Sequence, residues 1–201
     1  MRIFALPQNS GGGVATGFGV EKAAGAILLI VDHDDELEEF ALQTVAAEWR
    51  TVATRDSIGG MYFRRSSPST NEVIGEALEE GVEFTMSWQS NTKPTITDGV
   101  IAFRRSVALK YFNARALESI CLFGVPLTQM TKEHKLRAGS SRAILKYHRD
   151  NPESQTNSIK VSRKTVYTYA KYIDAWDWYY LRRPLYWMRH MIALGRFSLL
   201  I

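Results

Sequence analysis

Cysteine is almost missing from this chain of 201 residues. Cys121 stands alone, so no disulfide can close within the chain, and a reducing compartment fits. It lies in an apolar run and reads as a small buried residue rather than a nucleophile. Histidine is scarce as well. His33, His134, His148 and His190 fall in no metal-ligand spacing, which gives no expectation of a metal centre. Long apolar runs are absent: residues 23–31 are too few to span a bilayer, and residues 185–201 are interrupted by Arg189, His190 and Arg196. No basic segment precedes an apolar core at the start, so neither a signal peptide nor a transmembrane segment is expected. A soluble, intracellular protein is expected, in the cytoplasm, nucleus or nucleoid, or in a virion if it is a viral structural protein. Ser140 and Ser141 have no acid–base partner nearby in sequence. No catalytic residue and no cofactor is therefore assigned.

What is present is charge, unevenly placed. Residues 1–99 hold 7 Lys/Arg against 15 Asp/Glu, and residues 100–201 hold 18 against 6. A basic half behind an acidic one points to a polyanion partner for the second half, and to head-to-tail association of copies into a homo-oligomer. Hydrophobic content of 45% is a globular value, so the chain can bury a core.

The apolar run at residues 26–31 predicts a strand, and a helix is expected to start near Asp34 or Asp35, with Asp35 and Glu38 at capping-box spacing. Leu37, Ala41, Val45 and Trp49 supply its stripe at helical repeat. Residues 2–6 and 51–53 are expected as short strands, and 71–80 as a helix. Val82, Phe84, Met86 and Trp88 alternate with polar neighbours, as a half-buried strand does. Residues 90–98 read as a linker. Beyond it, helices are expected over residues 100–123, 140–149 and 162–183. The expected fold is thus α+β, or a small α/β N-terminal half with a predominantly α-helical C-terminal half. Residues 1–90 would be an assembly or partner domain and 99–201 a basic nucleic-acid-binding domain.

Val161-Ser162-Arg163-Lys164-Thr165-Val166-Tyr167 resembles the turn and second helix of helix-turn-helix regulators and recombinases. Ser162 would cap that helix. The resemblance implies that Arg163, Lys164, Thr165 and Thr168 face DNA, and Lys160, Lys171, Arg142 and Lys146 would meet phosphates. Downstream, residues 165–201 hold 10 of the 23 aromatic residues among Arg182, Arg183, Arg189 and Arg196. Aromatic rings among cations can stack bases, and they also suit peripheral contact with an anionic membrane.

Asp32, Asp34 and Asp35 follow the predicted strand, where carboxylates can hold Mg²⁺ or simply favour a helix N-terminus; helix capping is the reading preferred. Residues 27–49 resemble the opening of a response-regulator receiver domain, but residues 82–88 end in no phosphoacceptor Asp. The loop at residues 10–19, in its setting, is similar to that of ParA-type ATPases. Phe18 stands where a P-loop needs Lys, and Gly19 where it needs Ser or Thr, so nucleotide hydrolysis is not expected and a surface loop is. Residues 92–124 resemble the core helix of flexuous filament coat proteins. The leading expectation is a non-enzymatic nucleic-acid-binding protein of helix-turn-helix type. The alternative is a self-assembling viral coat, nucleocapsid or matrix protein on RNA or an anionic membrane, and a metal-dependent enzyme built on the aspartates ranks third.

Overall fold

The computed structural model describes residues 2–75, 78–86, 99–113 and 124–148, with single positions at 170, 188, 191, 192 and 195. The chain divides into two compact units, each assembled from separate stretches. One comprises Met1–Ala23, Leu109–Gln129 and Ile159–Ile201; the other comprises Ala24–Ala108 and Met130–Ser158.

The second unit is built on a mixed sheet. Its strands are β1 (Ile27–Leu29), β2 (Glu36–Leu37), β3 (Ile58–Ser66), β4 (Glu83–Phe84), β5 (Gly99–Arg104) and β6 (Lys135–Lys146). They lie in the order β1-β5-β3-β6-β2, with β4 also paired to β6. β1 and β5, and β5 and β3, are antiparallel, whereas β3 and β6 are parallel. β1, β3 and β6 therefore run in one direction, and their carboxyl ends share one edge of the sheet.

The described helices are α1 (Gly12–Lys22), α2 (Ala41–Arg50), α3 (Arg105–Tyr111) and α4 (Gly124–Glu133), and the isolated positions named above are helical too. α2 buries Ala41, Val45 and Trp49, one side chain per turn. These pack against Met61 and Phe63 of β3, Val100 and Ala102 of β5, and Ile144 and Leu145 of β6. Residues 58–63 of β3 are buried without alternation, as expected of a strand flanked on both edges and covered. Gly139 is needed where β6 passes Phe63, because a Cβ there would lie 2.5 Å from the ring.

Several expectations are overturned. The C-terminal half is not predominantly helical: residues expected to open a helix at 140–149 belong to the 12-residue strand β6. The continuous helix expected from residue 100 is β5 followed by the seven-residue α3. The glycine-rich segment read as a surface loop winds into α1 from Gly12. The second helix starts at Ala41, its N-cap is Phe40 with no side-chain hydrogen bond, and Asp34 and Asp35 do not cap it. Residues 2–6 and 51–53 form no strand, and the described part of 71–80 is turn and bridge rather than helix. The proposed linker at 90–98 lies outside the described residues.

Candidate active site at the carboxyl edge of the sheet

β1 and β2 occupy opposite ends of the strand order, yet only residues 30–35 join them. Four strand spacings amount to about 19 Å in a flat sheet. Those six residues contain a turn, with the Asp35 N–H donating to the Asp32 carbonyl over 3.2 Å. The sheet is curled, which brings its ends within reach of so short a link. The consequence is chemical. Asp32, Asp34 and Asp35 are carried along the edge where β3 and β6 end.

Two strands bring partners to this turn. Parallel pairing sets Arg65 opposite Leu145 and Ser66 opposite Lys146, and the Tyr147 N–H donates to the Ser66 carbonyl over 2.8 Å. The next residue, His148, donates its backbone N–H to Asp35 Oδ1 over 3.3 Å. The Arg65 guanidinium lies over the Tyr147 ring, 5.0 Å from its centroid. Burial pushes the Asp35 carboxyl above its usual range. The His148 N–H and the Arg65 charge pull it down, while Asp32 and Asp34 push it up. Asp32 is exposed and the Asp34 side chain is 25% exposed, 3.9 Å from the open imidazole of His33.

The charge on Asp35 is disfavoured by the neighbouring Asp32 and Asp34, a setting that a divalent cation relieves. Among the described residues no group of three or more His, Cys, Asp or Glu side chains is arranged to hold a metal ion by itself. The turn therefore fits a Mg²⁺-type cation that takes one or two carboxylates and completes its shell with phosphate oxygens and water. It does not fit an all-protein cage.

A second concavity, in the other unit, opens at the start of α1. It encloses about 430 Å³ between Phe4, Leu6, Asn9, Ser10 and Phe18. Gly11 has φ 86° there, and its N–H donates to Asn9 Oδ1 over 3.0 Å.

Of the residues expected to bind nucleic acid, two are described. Lys146 pairs with Glu36 over 3.3 Å, and Arg142 lies on the Phe40 ring at 3.4 Å from the centroid. Lys160, Arg163, Lys164, Thr165, Thr168, Lys171, Arg182 and Arg183 lie outside the described residues, as does the whole helix-turn-helix candidate. Arg65, Tyr147 and His148 were missed. Nothing local marks them, because β3 and β6 bring them to the aspartates from distant parts of the chain.

The helix-turn-helix identification is overturned by comparison with known families, and with it the nucleic-acid-binding and viral structural readings. The profile of Glycosyl transferase family 2 matches residues 1–112, more than half of the chain and including the whole acidic turn. No curated protein matches the chain. A short motif and a charge imbalance were general signals of polyanion affinity, whereas the matched stretch spans α1, β1 to β5, α2 and α3. The chain belongs to glycosyl transferase family 2.

Proposed function

We propose that the protein transfers a sugar from a donor with a diphosphate leaving group to an acceptor hydroxyl, with the leaving group held at the carboxyl edge of the sheet. One observation supports this reading above others: the Asp32–His33–Asp34–Asp35 turn lies inside the matched region, at the end of β1 and beside His148 and Arg65. In such a transfer the bond from the anomeric carbon to the phosphate oxygen breaks as the bond to the acceptor oxygen forms. The acceptor proton leaves to a base, and negative charge collects on the phosphate. Asp32 and Asp34 would hold a divalent cation, which when bound neutralises that charge. Asp35, fixed by the His148 N–H, keeps the turn in place and adds to its negative field.

The test is a transfer and donor-hydrolysis assay over a panel of nucleoside-diphosphate sugars, with Mg²⁺ or Mn²⁺ and after chelation. Asp34→Asn should lower kcat about 100-fold or more, the scale of losing one electrostatic stabiliser of the transition state. Chelation should stop turnover, and added cation should restore it. Unchanged turnover by an Asp32→Asn/Asp34→Asn double variant would sink the proposal.

A further inference from the structure

Resting on that reading, we infer that Arg65 grips the donor's diphosphate and that Tyr147 is a positioning residue that holds the guanidinium for it. Three arginines of this sheet bury an Nε with no hydrogen-bond partner, namely Arg64, Arg65 and Arg137. Two of them are anchored elsewhere: Arg64 Nη2 donates to the Gly75 carbonyl over 2.5 Å, and Arg137 Nη1 to the Gly81 carbonyl over 2.9 Å. Arg65 differs. Among the described residues no acceptor is bonded to its guanidinium, which instead lies on the Tyr147 ring. With its Nε buried, the donors left for an anion are the two Nη atoms, a pair that can grip a phosphate bidentately.

Arg65 acts on the acidic turn through space and makes no direct ion pair with it. Asp35 feels the Arg65 charge, yet its oxygen takes the backbone N–H of His148. Carboxylates and guanidinium therefore stand side by side at one edge. A diphosphate with its cation needs that combination, carboxylates for the metal and a fixed fork for the phosphate oxygens. The backbone around Arg65 is held from both sides. Its carbonyl accepts the Ile74 N–H over 2.9 Å, and the adjoining Ser66 carbonyl accepts the Tyr147 N–H.

The experiment is calorimetric titration of the full chain with inorganic pyrophosphate in excess Mg²⁺, with thermal unfolding run on every variant. Arg65→Ala should weaken binding about tenfold or more, as loss of a charge-assisted bidentate contact does. Arg65→Lys should not restore it, because an ammonium offers no planar fork. Tyr147→Phe should bind like wild type and Tyr147→Ala should not. Millimolar guanidinium should recover binding by Arg65→Ala, which a purely structural role for Arg65 would not allow. Wild-type affinity in Arg65→Ala overturns the assignment and leaves the glycosyl-transfer reading standing. If Arg65→Ala fails to fold, Arg65→Lys decides: wild-type affinity there overturns the assignment equally. Failure of the wild-type protein to bind pyrophosphate with Mg²⁺ overturns both.

Discussion

Arg104, the last residue of β5, holds together the chain that follows α2. Its Nε and Nη atoms donate to the carbonyls of Ile58, Ala53, Val52 and Arg55, at 3.4, 3.2, 3.4 and 3.1 Å. The guanidinium also lies 5.6 Å from the Trp49 ring centroid, so it closes both the end of the helix and the entry to β3. These carbonyls belong to the turn that leads from α2 into the strand, and those of Val52 and Arg55 also accept the backbone N–H groups of Arg55 and Ile58. Lysine could reach one or two of them but not all four. Arg104→Lys should therefore lower the unfolding free energy by about 1–3 kcal/mol, measured by urea denaturation. Activity per folded molecule should be unchanged, since Arg104 sits at the opposite end of β5 from the acidic turn.

At the scale of elements, β4 is only two residues long and cannot hold itself on β6 by two register pairs. Glu83 helps. Its carboxylate accepts from Arg55 and lies 3.5 Å from Lys135 Nζ, and the Arg55 bond above all holds its carboxyl below the usual range. The sign follows from proton binding. With the folded pKa depressed, the unfolded chain binds more protons at acid pH. The stabilisation is thus present above the ordinary glutamate value of about 4.3 and is lost as pH falls through the folded value. Glu83→Gln should cost at most about 1 kcal/mol at pH 7, the scale of a surface pair. The gap between variant and wild type should narrow in urea melts as pH falls below the ordinary glutamate value. In the core, Phe63 is fully buried between α2 and β6, and Phe63→Ala should cost about 3–5 kcal/mol by the same assay.

The same elements show what could be read in advance. β1 was legible as an apolar run, and the Ala41, Val45 and Trp49 stripe gave α2 its face though not its start. β6 was not legible. Its Ala143-Ile144-Leu145 run is buried throughout, so the period-2 signal that marks a strand is erased where neighbours cover it. β5 and α3 read as one helix because neither Gly nor Pro separates Arg104 from Arg105. The acidic turn was seen, but capping was the preferred account until the helix proved to start at Ala41. Its partners were out of reach, since His148 meets Asp35 across 113 residues. That juxtaposition depends on parallel pairing of β3 with β6, which no local pattern encodes.

For the whole molecule, the excess of cations in the second half needs an account once nucleic acid is set aside. Phosphate chemistry in the donor would occupy Arg65, which belongs to the first half. For the basic tail we propose another anion. From Trp178 to Ile201 there are four arginines and no acidic residue. Within that stretch Met188, Met191 and Ile192 are helical and 50%, 37% and 60% exposed, at spacings that put them on one face. Among the described residues no helix is long and apolar enough to cross a membrane. Three exposed apolar positions at helical spacing within a basic, aromatic-rich sequence are what an interfacial helix would show. The full chain should therefore sediment with vesicles rich in phosphatidylglycerol and not with neutral ones, and the association should weaken as salt rises. Met191→Glu/Ile192→Glu should abolish the association while leaving pyrophosphate binding intact. Equal recovery with neutral and anionic vesicles would show that the arginines do not face lipid.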